Sequence, residues 1–259
     1  MKQNVSELVA SMLAGNKVSL ARLMTLIEGE SSDVPEIVGL ISPHLNNTHR
    51  IGVTGPAGSG KSTLIDKLIS QIRADSLTLG VIAVDPSSAI TGGAVLGDRI
   101  RMQKHYLDEG VFIRSMATRG SYGGLTRAIE PATQLLDASG KDVIVVETTG
   151  VGQTEVDVRR FVDTVVVILV PGFGDTVQLM KAGLIEIADI IVINKSDLPG
   201  AEELAAEVKD SLSSTPGGDE HPVILTQAST GAGTDELYRE IVKRWTGKIP
   251  LSLKEGKPE

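Results

Sequence analysis

Residues 51–68, IGVTGPAGSGKSTLIDKL, run an apolar strand into Gly55-Pro56-Ala57-Gly58-Ser59-Gly60-Lys61-Ser62 and then straight into a periodic helix. Glycines at these places let backbone N–H groups curl around a polyphosphate, the Lys61 ammonium can reach β- and γ-phosphates, and the Ser62 hydroxyl can ligate Mg²⁺. The helix predicted from Lys61 to Arg73 adds the positive end of its dipole to the same anion site, with Thr63 in its first turn. Strand before and helix after are the setting that such a loop requires, so binding of a nucleoside triphosphate is the first expectation.

Downstream segments extend this expectation in chain order. Leu79 to Val84 has the pattern of a buried strand and delivers Asp85 to its carboxyl end, the edge where ligands gather in open α/β sheets. The glycine-rich stretch 91–98 ends in Asp98, close enough to a γ-phosphate and Mg²⁺ to take part directly or through water. Val111 to Ser115 predicts another strand, and a helix follows a loop through about Ala138. The apolar run Asp142 to Val146 ends at Glu147-Thr-Thr-Gly150-Val-Gly-Gln153. A carboxylate at such a strand end, with a glycine shortly after it, is where phosphate-loop proteins hold the Mg²⁺ water shell and sense the γ-phosphate.

Thr164 to Val170 is almost wholly apolar and β-branched, as expected of a strand covered on both faces of a parallel sheet. A glycine-flanked loop, 171–175, ends in Asp175 and opens a predicted helix carrying Lys181. The next strand, Asp189 to Ile193, delivers Asn194-Lys195-Ser196-Asp197. A carboxylate at Asp197 can accept from both guanine N1–H and the exocyclic amine, a donor pair that adenine lacks. Pro222 to Thr226 predicts the last strand, leading to Gln227, Ala228 and Ser229, a small-residue turn suited to giving a backbone N–H to guanine O6. A helix from Asp235 to Trp245 closes the domain.

Ahead of the phosphate loop, residues 4–28 show helical spacing, predicting two short helices that break at Asn16, with Ser19 able to cap the second; 34–45 allows a third. The fold class expected is α/β: a mostly parallel central sheet with helices on both faces and a short N-terminal helical extension. The boundaries expected are 1–48 for the extension, 49–247 for the nucleotide domain and 248–259 for a polar tail.

Composition then removes alternatives. A net charge of −8 opposes non-specific nucleic acid or an anionic membrane surface as partner. With no cysteine, disulfides, thiolate metal sites and cysteine nucleophiles are excluded. No segment approaches about 20 uncharged apolar residues and the first residues lack a secretory pattern, so a cytoplasmic location is expected.

The ordered set formed by the phosphate loop, DPSS, GGAVLGD, ETTGVGQ, PGFGD and NKSD, across residues 50–235, closely resembles the MeaB/ArgK family of phosphate-loop GTPases, also labelled arginine/ornithine (LAO/AO) transport kinases. The resemblance implies GTP hydrolysis with Mg²⁺. It implies catalytic roles for Lys61, Asp98 and Glu147, and a metal shell of Ser62, Asp85, Asp98 and Glu147. It also implies base reading by Asn194, Lys195 and Asp197, and nucleotide-state reporting through Gly150, Gln153, Asp175 and Lys181. The partner implied is an adenosylcobalamin-dependent acyl-CoA mutase, methylmalonyl-CoA mutase in particular, for which the GTPase serves as a chaperone; a homodimer is allowed.

Two features depart from the family pattern: little chain follows Trp245 where a helical arm is usual, and Gln227 stands where serine is more frequent. Val151 occupies the place of the water-orienting glutamine of signalling GTPases, so slow intrinsic hydrolysis is expected. A small-molecule kinase and a metallocentre-assembly GTPase are the alternatives. The second usually draws on histidine- or cysteine-rich stretches, and this chain has four scattered histidines and no cysteine.

Overall fold

A computed structural model of the chain describes residues 4–85, 102–117, 124–150, 157–172, 184–213 and 221–245. Strands β1 (His49–Thr54), β2 (Leu79–Asp85), β3 (Val111–Ala117), β4 (Val143–Glu147), β5 (Thr164–Leu169), β6 (Ile190–Asn194) and β7 (Val223–Thr226) form one sheet in the order β3-β2-β4-β1-β5-β6-β7. Every pairing is parallel. These strands are β-branched and apolar because both faces are covered, and successive side chains enter opposite layers. On β5, for example, Val165, Val167 and Leu169 join one core layer while Val166 and Ile168 join the other.

The layer containing Val165 lies under α1 (Val5–Leu13), α2 (Lys17–Glu28), α3 (Val34–Ile41), α5 (Gly124–Ala138) and α6 (Ala201–Ser213). The opposite layer lies under α4 (Lys61–Ala74) and α7 (Thr234–Lys243). The N-terminal helices therefore bury Leu23, Met24, Ile27 and Ile37 in a core continuous with the sheet. At the exit from α3, the buried Asp137 carboxylate on α5 accepts from the Asn46 amide and the Thr48 hydroxyl, each at 2.8 Å.

Most predicted elements among the described residues are present within a residue or two of their ends; α3 stops at Ile41, short of the expected 45, where Ser42–His44 tighten into a 3-10 turn, and the helix expected to carry Lys181 lies outside the described residues. Two further differences are informative. The cap of α2 is Asn16, whose side chain accepts from the Ser19 amide at 3.0 Å. Ser19 is not the cap: it sits one turn inside, buried, and its hydroxyl donates to Ser11 on α1 at 2.9 Å. Helix α6 has no counterpart in the sequence reading. Its signal was there, in buried Ala201, Leu204, Ala205, Val208 and Leu212 at helical spacing behind the first-turn acids Glu202 and Glu203.

Candidate functional site

Strand β1 lies between β4 and β5, so the loop after Thr54 opens at the carboxyl edge, at the point where the chain's strand order switches direction. Gly55 has φ 142°, and a Cβ there would lie 2.2 Å from the Ile168 carbonyl oxygen on β5. Only glycine can leave the strand so close to its neighbour. Gly60 closes the loop at φ 95°, with the Asn194 amide nitrogen 2.4 Å from where its Cβ would be.

Helix α4 then begins at Lys61 behind Gly60, which has no side chain to cap it, so the positive end of the helix dipole lies at the loop. The buried Lys61 ammonium donates to the carbonyls of Gly55 at 2.9 Å and Pro56 at 3.0 Å, which holds it over the loop. Phosphate oxygens are stronger acceptors for that charge than neutral carbonyls. Ser59 adds a fully buried hydroxyl that has no hydrogen-bond partner among the described residues.

Glu147 ends β4 in register with Val53, and its Oε1 accepts from the Ser62 hydroxyl at 2.7 Å. Both groups are buried. A buried hydroxyl and carboxylate make an all-oxygen donor set suited to a hard divalent cation, so these residues fit Mg²⁺. Asp85 lies at the end of β2, two residues beyond the Ala83 that pairs with Glu147, on the same edge.

After Glu147 the chain folds back across the loop. The Thr148 amide donates to the Val53 carbonyl at 3.0 Å, and its hydroxyl to Thr54 at 2.9 Å. At Gly150, φ is 83° and a Cβ would meet Lys61 Nζ at 2.5 Å, the Ala57 nitrogen at 2.8 Å and the Gly55 oxygen at 2.8 Å. This glycine thus rests directly on the phosphate loop, which suits a sensor of its occupant.

The 194–197 turn is placed on the other side of the loop by β6. Asn194 is buried, and its amide group donates to the Ser59 carbonyl at 2.7 Å. Its Oδ1 accepts from the Thr226 hydroxyl at 3.1 Å and the Ala228 amide at 3.0 Å. Asn194, predicted as a base contact, ties the phosphate loop to the end of β7 through its side chain. Lys195 takes a left-handed backbone, φ 58°, half-buried, and Asp197 is exposed at the mouth.

The Gln227 amide donates to Ala232 at 3.0 Å, and its Oε1 accepts from Thr230 at 3.1 Å, which closes a tight loop. Ala228 is buried with its N–H directed to Asn194, whereas Ser229 is exposed. The structure therefore brings together residues 55–63, Glu147, Gly150, 194–197 and 227–229, with the backbone of Asp85 on the same edge. Asp98, Val151, Gln153, Asp175 and Lys181 lie outside the described residues. Sequence reasoning missed Thr226, whose only advance signal was its position before the small-residue turn.

A seven-stranded parallel sheet with this loop after its central strand and an Asn-Lys-x-Asp turn two strands away defines a phosphate-loop guanine-nucleotide-binding protein. The particular family follows from comparison: the family model described as "Methylmalonyl Co-A mutase-associated GTPase MeaB" matches residues 20–250, and the chain belongs to this family of GTPases. A Pyrococcus horikoshii relative is 51% identical over 244 residues, 92% of this chain and 77% of that protein. Escherichia coli GTPase ArgK is 40% identical over 197 residues, 74% of this chain and 60% of ArgK. A solved structure described as LAO/AO transport system kinase superposes with a TM-score of 0.74 at 30% identity, covering 94% of this chain and 76% of that one. Among the described residues, no helix is long and apolar enough to cross a membrane.

Proposed function

We propose that this GTPase couples GTP binding and slow hydrolysis to cofactor loading or protection in an adenosylcobalamin-dependent acyl-CoA mutase. The observation that carries the nucleotide part is Asn194, whose one side chain bonds the Ser59 carbonyl and the Ala228 amide and so links the phosphate loop to the base loops. In this reading Lys61, the α4 amides and the residues from Gly55 to Thr63 hold the phosphates. Asp197 accepts from guanine N1–H and its amine, Lys195 lies along the base, and the turn 227–229 faces O6. Ser62 and Glu147, with Asp85 and Asp98, hold the ion; Mg²⁺, when bound, supplies neutralisation of the charge that gathers on the β- and γ-phosphate oxygens.

Lys61 stabilises the same charge from the protein side. Val151 cannot orient a water, so an efficient nucleophile position waits on the partner, with Gly150, Gln153, Asp175 and Lys181 as the reporting elements. The mutase association in the family's description supports the choice of client. A GTPase domain bounded by 49–247, behind a helical extension of 1–48, belongs to the same proposal.

The test is hydrolysis of GTP and ATP by the purified chain, alone and with an adenosylcobalamin-dependent mutase. GTP should be preferred, and the mutase should raise its turnover at least several-fold. Asp197→Asn should weaken GTP binding by about 30-fold or more, through loss of a charged acceptor for two donors. Equal affinity for ATP and GTP would remove the guanine assignment, an unchanged rate with mutase would remove the client, and γ-phosphate transfer to arginine or ornithine in place of water would substitute the kinase reading.

A further inference from the structure

At the far edge of the sheet, β3 is the terminal strand, and no described strand pairs with its outer side. A cavity of about 360 Å³ lies against it, lined by Lys17, His105, Tyr106, Val111, Phe112 and Ile113. Phe112 packs with the layer under α1 to α3, whereas Val111 and Ile113 belong with the opposite layer, so the cavity wraps the strand's edge. Its volume falls at the lower end of the range for small-molecule sites, about 300–1,000 Å³.

Apolar exposure concentrates here as well. Val18 (60% exposed), Tyr106 (44%) and Leu107 (95%) line the cavity or adjoin its lining in sequence, and only Leu198 and Leu225 are comparable elsewhere among the described residues.

Charge distinguishes the ligand. The exposed Lys17 ammonium donates to the Asp108 carbonyl at 3.3 Å and meets no carboxylate among the described residues. The Asp108 carboxylate is turned away, accepting from Arg73 Nε and the Gly110 amide, each at 2.8 Å. His105 is likewise committed, with Nε2 3.1 Å from an Asp66 oxygen, and Glu109 is exposed on the neighbouring turn. Behind Lys17, the Lys141 ammonium bonds the Gly110 carbonyl at 3.4 Å, and burial first, then Lys17, push its pKa down. Arg73 and His105 are thus matched to Asp108 and Asp66, and Lys141 has Asp142 and Asp108 near it, so among the described lining residues Lys17 is the cation offered to a ligand in the cavity.

We propose that the cavity binds an organic anion with a flat apolar body, its rings against Tyr106, Phe112 and Ile113 and its acidic group on Lys17. Two strands, β2 and β4, separate β3 from the phosphate loop's strand, so this is a second site, independent of the nucleotide.

The probe is 8-anilinonaphthalene-1-sulfonate, titrated into the full chain by fluorescence and compared with N-phenyl-1-naphthylamine, the same rings without the sulfonate. The sulfonate should bind once per chain, at least tenfold more tightly than the amine. Lys17→Glu, at an exposed first-turn position that tolerates an acid, should cost the sulfonate tenfold or more and the amine little. Tyr106→Ala should weaken both probes. Saturating GTP should displace neither. Equal binding of the two probes, unchanged sulfonate binding in Lys17→Glu or unchanged binding of both in Tyr106→Ala, or displacement by GTP would each overturn the proposal.

Discussion

The two ends of the sheet use the same kinds of polar group to opposite effect. At the amino ends of the strands, carboxylates are paired with the backbone donors beside them. Asp142 accepts from the Thr78 amide at 2.7 Å and its hydroxyl at 2.8 Å, Asp163 from the Arg50 amide at 2.8 Å, and Asp189 from the Val165 amide at 2.7 Å. There the polar groups are fully used in fastening one strand start to the next. At the carboxyl ends, α4 starts without a side-chain cap, the Ser59 hydroxyl has no partner among the described residues, and two loop carbonyls hold the Lys61 ammonium over the phosphate loop. Groups that are satisfied stabilise the fold, and groups held in place by the backbone while keeping bonding capacity can serve a ligand.

Substitutions should separate the two ends. The largest effect is expected from Lys61→Ala: GTP turnover should fall at least 100-fold through loss of the cation over the β- and γ-phosphates, while the thermal midpoint without nucleotide stays within a few degrees of native. Paired calorimetry and single-turnover assays check this, and equal losses of stability and activity would erase the contrast.

At the opposite end, Asp142→Ala strands the Thr78 amide and leaves its hydroxyl, as a donor, only the longer bond to the Gly140 carbonyl at 3.4 Å, and should cost about 1.5–3 kcal/mol by urea denaturation while leaving turnover at saturating GTP near native. A large drop in turnover with stability unchanged would show that the amino ends reach the site.

The smallest effect is a pH dependence. The Arg73 guanidinium bonded to Asp108 lowers that carboxyl's pKa, against an opposing push from burial. A depressed folded-state value means that the contribution to stability is present above the unfolded value, about 4, and is lost as pH falls through the folded one. The stability gap between native protein and Asp108→Asn should therefore be constant near neutrality and close below about pH 4 in a series of melts.

Local signals carried much of the outcome. Lys61, Ser62 and the glycines of the loop announced their place because the chemistry is written within eight successive residues, and Glu147 because an apolar run ended on it. The buried strands were evident from β-branched runs such as 164–169. Helix α6 shows that a clear period can be passed over when neighbouring motifs dominate, and the α2 cap shows that Asn16 and Ser19, both competent acceptors, are separated only by which one adopts extended backbone before the helix.

Sequence by itself determined the parallel α/β class, the anion-binding loop and the guanine signature, since each depends on residues adjacent in the chain or on a period of two. Tertiary structure decided the partners: that Asn194 would tie Ser59 to Ala228, residues 135 and 34 positions away, and that Gly150, in the segment after the neighbouring strand β4, would lie against Lys61. It also set the order β3-β2-β4-β1-β5-β6-β7, which puts Glu147 beside Ser62. The physical reason is that strand order is chosen by burying both faces of every strand at once, a condition on the whole chain that no local stretch records.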